Sequence, residues 1–130
     1  MGRDAVPEHV RNFIAEHVRS LKSLELLLML HADPGRAWTG TELGRELRAA
    51  PEWAQRELED LAGRGLAAPG TAAGTFRYAP RRTELDETIA MLAALYPERR
   101  FTIIQIIFGA PEPIQSFADA FKLRKDPSDG

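Results

Sequence analysis

The sequence predicts a mainly α-helical protein of the α+β class, in which one small β-hairpin accompanies a series of amphipathic helices. Apolar residues recur at helical spacing along most of the chain, and Pro and Gly residues separate the helical segments. Residues 75–78 instead alternate in character after a Gly-containing loop, which is typical of a hairpin strand. With 130 residues, of which 44% are apolar, the chain has the size and composition of a single domain, residues 1–130.

Two helices are expected before residue 33. Pro7 suits the first position of a helix, where the N–H that proline lacks has no partner within the helix. The apolar positions that follow it are Val10, Phe13, Ile14, Val18 and Leu21. The apolar positions of a second helix, kinked from the first near Ser20, are Leu24, Leu27, Leu28 and Leu30. The run Asp33-Pro34-Gly35 is a strong stop signal for this second helix.

Two more helices are expected between residues 39 and 63. Thr39 and Glu42 have capping-box spacing, which favours the start of a short helix. The apolar residues of that short helix are Leu43 and Leu47. Pro51 then starts a helix that runs to about residue 63. Before both helices, residues 37 and 38 can form a very short strand, and Trp38 is expected in the core where this strand meets the hairpin.

The hairpin and the C-terminal helices follow. Residues 66–68 and 75–78 are expected as strands, with a loop between them. Thr83 can cap the next helix, whose apolar stripe is Leu85, Ile89, Leu92 and Leu95. A last amphipathic helix is expected after Pro113, with the apolar residues Ile114, Phe117, Ala118 and Phe121.

Residues 101–108 fit either of two structures. Their β-branched run favours a strand, whereas Pro97 before them and Gly109 after them favour a helix. We predict the helix. Because the segment is apolar on nearly all sides, we expect it to be buried all round, either against the rest of the chain or against another copy.

The order of elements over residues 20–80 resembles the winged helix-turn-helix fold of bacterial transcription regulators, including the MarR-like group. The matching segments are 23–28 (SLELLL) for the first helix, 41–47 (TELGREL) for the second, and 51–66 for the recognition helix and its exit, which ends in LAGRGL. The resemblance implies a winged-helix core at 20–80, with flanking helices at 7–19 and 84–125. It further implies a DNA-binding transcription regulator that forms a homodimer through its terminal helices.

A recognition helix enters the major groove of DNA, where its outward side chains read base edges. We projected residues 51–65 at about 100° per residue to find that face. The inner face contains Ala54, Leu58, Leu61 and Ala62. The outer face contains Trp53, Arg56 and Asp60. The residues predicted to contact double-stranded DNA are Arg45, Arg48, Arg56 and the wing residue Arg77, with Gln55 as a base reader and Trp53 as a weaker candidate.

The charge pattern leaves other interpretations open. Residues 40–65 carry six acidic and four basic residues, which is unfavourable beside phosphates. The side chains that alternate in sign at a spacing of four are Glu52, Arg56, Asp60 and Arg64, and this pattern also fits a solvated ion-pair ladder. Trp53 either packs against its own domain or anchors a partner. One alternative is therefore a winged-helix module that binds a protein through the acidic helix face and Trp53. Another is a small-molecule sensor, with a pocket between the winged domain and the C-terminal helices.

Composition argues against several classes of site. The absence of cysteine excludes disulfides, thiol nucleophiles and Cys-ligated zinc, and it fits a reducing compartment. His9 and His17 lie two helical turns apart, about 12 Å, which is too far for one metal ion. No catalytic or phosphate-binding motif is found. We therefore expect no enzyme, no metal site and no cofactor.

The charge and hydropathy of the chain restrict the partners that it can bind. Seventeen basic residues, fourteen of them Arg, oppose nineteen acidic ones, so DNA binding requires a local patch. The abundance of Arg, Ala, Gly and Pro is associated with GC-rich bacterial genes. No apolar run approaches the ~20 residues that span a bilayer, and no secretory signal is visible at Met1. We therefore expect a cytoplasmic protein with no membrane partner.

Overall fold

The structure, a computed structural model, describes residues 6–109. Within them the chain forms six helices and two strands. The helices are α1 (Glu8–His17), α2 (Leu21–Ala32), α3 (Gly40–Leu47), α4 (Pro51–Gly63), α5 (Thr83–Leu95) and α6 (Arg100–Gly109). The strands are β1 (Ala67–Pro69) and β2 (Phe76–Tyr78). The predicted class, mainly helical with one small antiparallel hairpin, is confirmed, and the helix predicted after Pro113 lies outside the described residues.

The chain divides into two compact units. One unit is Leu21–Ala94, which contains every residue predicted to contact DNA. The other combines both ends of the chain, of which residues 6–20 and 95–109 are described. Among the helices within residues 6–109, none is long and apolar enough to cross a membrane.

Helix α2 supplies much of the core of the first unit. Its buried leucines are Leu24, Leu26, Leu27 and Leu30. It ends at Ala32, directly before the stop signal Asp33-Pro34-Gly35. The Lys22 ammonium group donates a hydrogen bond to the carbonyl of Leu47, which links the start of α2 to the end of α3.

The predicted capping box starts α3. The Thr39 hydroxyl accepts a hydrogen bond from the N–H of Glu42 at 3.1 Å, and the Glu42 carboxylate accepts one from the N–H of Thr39 at 3.0 Å. Arg48 follows the helix in the left-handed conformation, with φ of 57°. It is the one non-glycine residue with positive φ in the described part of the chain. Pro51 then starts α4, as predicted.

A close approach at Gly44 joins α3 to the turn before α4. The N–H of Ala49 donates to the Gly44 carbonyl at 2.9 Å. An ideal Cβ on Gly44 would lie 2.7 Å from the carbonyl oxygen of Ala49 and 3.2 Å from Cα of Pro51. Only glycine therefore allows α3 and the turn to pack at this distance.

The hairpin pairs β1 with β2 in an antiparallel register, with Ala67 opposite Tyr78. Trp38 adds an isolated bridge to the outer side of β2. The backbone N–H of Trp38 donates to the backbone carbonyl of Phe76 at 2.8 Å. The backbone carbonyl of Trp38 accepts from the backbone N–H of Phe76 at 2.9 Å. Trp38 is buried, so its predicted place in the core beside the hairpin is confirmed.

Tyr78, the last residue of β2, joins the hairpin to the start of α5. Its hydroxyl donates a hydrogen bond to the Asp86 carboxylate at 2.7 Å. Its ring and the His31 ring meet in a T-shaped arrangement, with ring centroids 5.3 Å apart. Burial raises the pKa of the Tyr78 phenol well above its usual range, and the hydrogen bond and the charge of Asp86 add to this shift.

The second unit pairs α1 with α6. Val10, Phe13 and Ile14 of α1 are buried, as is Ile103 of α6. Residues 101–108 are helical, as predicted. Phe101 and Phe108 are exposed in the described part of the chain, so the expected burial of this helix on all sides, against the rest of the chain or another copy, stays a prediction.

Adding a methyl group at Gly44 should destabilise the protein. We expect Gly44→Ala to lower the free energy of unfolding by about 1–3 kcal/mol, because the new Cβ overlaps Ala49 and Pro51. Gly63→Ala is the matched control, since an ideal Cβ there meets nothing within 4 Å. It should raise stability by up to ~1 kcal/mol. Urea unfolding curves measure both, and equal effects of the two substitutions would contradict the proposed close approach.

The Tyr78 phenol should make stability fall at alkaline pH. Because its pKa is higher in the folded state than in the unfolded state, its stabilising effect is present below about pH 10 and is lost as the pH rises further. Tyr78→Phe has no group to ionise at this position. The free energy of unfolding of the wild type relative to that of Tyr78→Phe should therefore be lower at about pH 11 than at about pH 8. Denaturant unfolding of both proteins at the two pH values measures this difference. A pH-independent difference would contradict this account.

Candidate nucleic-acid interface

The solvent-exposed stripe of α4 is the centre of the candidate interface. Besides Pro51 at the start of the helix, the exposed residues are Glu52, Arg56, Glu59 and Gly63. Arg56 is exposed, as the helical projection expects. Trp53 and Asp60 are only half-buried rather than fully outward, and Glu59 occupies the exposed position instead. The outward face of α4 is thus rotated slightly from the projected one.

The opposite face of α4 packs into the first unit. Ala54, Leu58 and Leu61 are buried and Ala62 is half-buried, in agreement with the projected inner face. Glu57 is also buried, which the projection missed. Its carboxylate accepts a hydrogen bond from the Ser23 hydroxyl of α2 at 3.1 Å. One of the six acidic residues in 40–65 is therefore removed from the surface that a partner meets.

The predicted ion-pair ladder on α4 includes one pair at its C-terminal end. The Arg64 guanidinium contacts the Asp60 carboxylate at a spacing of four residues. A partly exposed pair of this kind contributes about 0.3–0.5 kcal/mol. Asp60 is consequently neutralised locally, whereas Glu52 and Glu59 flank Arg56 on the exposed stripe.

The four predicted DNA-contacting arginines are all exposed, and they come from four segments of the same unit. Arg45 lies on α3, Arg48 in the turn after it, Arg56 on α4 and Arg77 on β2. Helix α3 packs against α4, and α4 contacts both strands of the hairpin. Arg77 points away from the core side of β2, since Tyr78 beside it is buried and successive strand residues alternate.

The structure adds a cation that the sequence reasoning missed. The guanidinium of exposed Arg36 lies 3.6 Å above the ring of Trp38. It also approaches the Glu42 carboxylate, with a distance of 3.8 Å between Nη2 and Oε2. These contacts hold a positive charge beside the start of α3. The sequence signal that could have identified Arg36 is its position two residues before Trp38. Arg36 therefore lies just before the extended segment that pairs with β2.

Gln55 makes two hydrogen bonds that join three elements. Its side-chain oxygen accepts from the N–H of Gly40, the first residue of α3, at 2.9 Å. Its side-chain nitrogen donates to the carbonyl of Gly74 in the hairpin loop at 3.2 Å. An ideal Cβ on Gly40 would lie 2.7 Å from the backbone nitrogen of Gln55, so this contact also requires glycine. The amide predicted to read bases is thus engaged within the chain.

A cleft of about 460 Å³ lies elsewhere in the same unit, at the base of the hairpin. Its lining residues are His31, Pro34, Tyr78, Pro80, Arg81, Arg82, Thr83 and Asp86. The polar groups of Tyr78 and Asp86 in this cleft already bind each other. Within residues 6–109, no three His, Asp or Glu side chains are grouped so that they could hold a metal ion.

Removing the Gln55 bridge should loosen the hairpin loop without unfolding the chain. Gln55→Ala loses both hydrogen bonds, each contributing about 0.5–1.5 kcal/mol. Gln55→Glu keeps an acceptor for Gly40 but has no donor for Gly74. Amide hydrogen exchange should therefore quicken at residues 70 and 75 in both variants, but at Gly40 only in Gln55→Ala. Glu59→Ala, on the exposed stripe of the same helix, is the control. Unchanged exchange in Gln55→Ala would contradict the bridge.

Comparisons with protein family models, with curated proteins and with solved structures find no match to this chain.

Proposed function

We propose that the chain is a DNA-binding transcription regulator of the winged helix-turn-helix type that acts in the bacterial cytoplasm. The observation that carries this proposal is the arrangement of α3, α4 and the β1–β2 hairpin in one compact unit. A tight turn joins α3 to α4, and the antiparallel hairpin follows α4 directly. In such an arrangement α4 is the recognition helix and the hairpin is the wing.

Each of the four predicted arginines has a role in this proposal. Arg56, in the middle of the exposed stripe of α4, faces the major groove. Arg45 and Arg48 flank the start of the recognition helix and contact phosphates, and Arg77 contacts a phosphate from the wing. Phosphate contacts of this kind fix the position of a protein on the duplex and carry much of its affinity.

The backbone conformation of Arg48 makes this residue a place to separate binding from folding. A residue with a Cβ is disfavoured in the left-handed conformation by roughly 1–2 kcal/mol, and glycine avoids this penalty. Arg48 nevertheless occupies φ of 57° in the turn between α3 and α4. The residue is the left-handed C-cap of α3, a position that glycine usually occupies, so arginine here places a cation in the turn at a cost in stability.

The acidic residues around Arg56 limit the part of α4 that can contact phosphates. Glu52 and Glu59 are exposed on either side of Arg56 and repel phosphates. The positively charged surface on the exposed stripe of α4 is therefore limited to Arg56. Its charge also offsets the two carboxylates beside it. Its removal leaves those carboxylates uncompensated at the groove.

The same acidic stripe favours one alternative function. Glu52, Glu59 and the half-buried Trp53 together form a face that suits a basic protein partner, with the aromatic ring as its anchor. In this alternative the wing and Arg77 contribute little, and Trp53 dominates the affinity.

DNA binding should be salt-dependent and sensitive to particular arginines. We expect the affinity of the wild type for a duplex of its own promoter region to fall with salt, with a log–log slope of about −0.9 per phosphate contact. Arg77→Ala should reduce that slope by about one contact. Arg56→Ala should reduce the affinity more than Arg77→Ala, because it also leaves Glu52 and Glu59 uncompensated beside the DNA. Fluorescence anisotropy at two salt concentrations measures these effects.

Arg48→Gly separates binding from folding. Because glycine accepts the left-handed conformation, the variant should be as stable as the wild type or more stable by ~1 kcal/mol. Its DNA affinity should nevertheless fall, since the cation is lost. Trp53→Ala should affect DNA binding less than Arg56→Ala. If the wild type shows no salt-sensitive binding to either the promoter duplex or an unrelated duplex, the regulator proposal is wrong and the protein-binding alternative is favoured.

A further inference from the structure

The bridge made by Gln55 connects the recognition helix of the proposed function to the loop of its wing. The Gln55 side-chain oxygen accepts from the N–H of Gly40, and its side-chain nitrogen donates to the carbonyl of Gly74. A backbone N–H can only donate and a carbonyl can only accept, so the two partners determine which end of the amide faces each of them. The bridge therefore holds the Gln55 side chain in one orientation.

The hairpin loop, residues 70–75, is itself held together by hydrogen bonds. The N–H of Gly70 donates to the carbonyl of Thr75 at 2.8 Å. The carbonyl of Ala72 accepts from the N–H of Thr75 at 3.2 Å and from its hydroxyl at 2.6 Å. Because these bonds join the ends of the loop to each other and to its tip, a bond to Gly74 positions the loop as a unit relative to α4.

The bridge lies between two of the cations that are proposed to contact DNA. Arg56 directly follows Gln55 on α4, and Arg77 follows Gly74 by three residues on β2. Both arginines are exposed. The hairpin loop contains no charged residue, so it has no cation of its own for a phosphate. Its placement therefore affects DNA binding through Arg77.

We propose that Gln55 is a positioning residue, which fixes the hairpin to α4 so that Arg77 and Arg56 meet the same duplex in a set geometry. This inference rests on the proposed DNA binding, and in it Gln55 does not itself read a base. A bidentate contact to adenine uses a donor and an acceptor of the same amide. In Gln55 those atoms face Gly74 and Gly40, so turning the amide to a base edge breaks the bridge.

A double-mutant cycle with Arg77 tests how Gln55 acts. Fluorescence anisotropy gives the affinities of the wild type, Gln55→Ala, Arg77→Ala and the double variant for a duplex of the promoter region. Gln55→Ala alone should weaken binding by about 3- to 12-fold, the range that corresponds to one ordinary hydrogen bond. In the Arg77→Ala background the same substitution should change the affinity by less than about twofold, because the cation that Gln55 positions is already absent.

An unrelated duplex distinguishes positioning from base reading. Gln55→Ala should weaken binding to this duplex as much as to the promoter duplex, because phosphate contacts carry no sequence information. A loss of about 5-fold or more that is confined to the promoter duplex is the result expected of a base reader, and it would overturn the proposal.

Two further variants serve as checks. Gln55→Met keeps the length of the side chain without either hydrogen bond, so it should reproduce both results, and it decides the question if Gln55→Ala fails to fold. Thr71→Ala is the matched control, since Thr71 is an exposed, uncharged residue of the same loop. It should leave both affinities unchanged, and an effect equal to that of Gln55→Ala would contradict the proposal.

The outcomes separate this inference from the proposed function. If the wild type binds neither duplex, the proposed function is wrong and the positioning role falls with it. If the wild type binds DNA but Gln55→Ala has an effect of equal size with and without Arg77, only the positioning role is overturned. That second result is expected if Gln55 merely supports the fold.

Discussion

The backbone pairing between Trp38 and Phe76 determines how the helices and the hairpin of the Leu21–Ala94 unit are arranged. Two hydrogen bonds hold Trp38 to β2, and the next residue, Thr39, is the cap of α3. The hairpin therefore fixes the point at which α3 begins. Gln55 closes the same connection from α4, because it binds both the first residue of α3 and the hairpin loop. These few contacts set the positions of the four candidate DNA-contacting arginines.

The features that the sequence predicted correctly depend on neighbouring residues. Pro51 and the glycines near residue 63 bound α4, and the capping box of Thr39 and Glu42 starts α3, each through a local backbone preference. Trp38 was also placed correctly, although its position depends on pairing with Phe76 of the hairpin, which is distant in sequence. Residues 101–108 form a helix despite their β-branched composition, between Pro97 and Gly109.

The features that were missed depend on residues distant in sequence. Glu57 is buried because Ser23, 34 positions earlier, provides a hydrogen bond for its carboxylate. Gln55 is an intrachain bridge because Gly40 and Gly74 approach it from two other elements. No periodicity within α4 encodes either contact. The surroundings of α6 are likewise not encoded locally, since the hydrophobicity of a helix shows that it needs a cover but does not show what provides it.

The placement of the two tryptophans gives the protein two distinct optical reporters in one unit. Trp38 is buried beneath the Arg36 guanidinium, and its indole N–H has no hydrogen-bond partner in the described part of the chain. Its emission therefore reports a buried ring beside a cation and changes when the unit unfolds. Trp53 is half-buried on α4, beside the exposed stripe, so its emission responds to whatever covers that helix. The intrinsic fluorescence of this chain thus separates the occupation of α4 from the integrity of the fold.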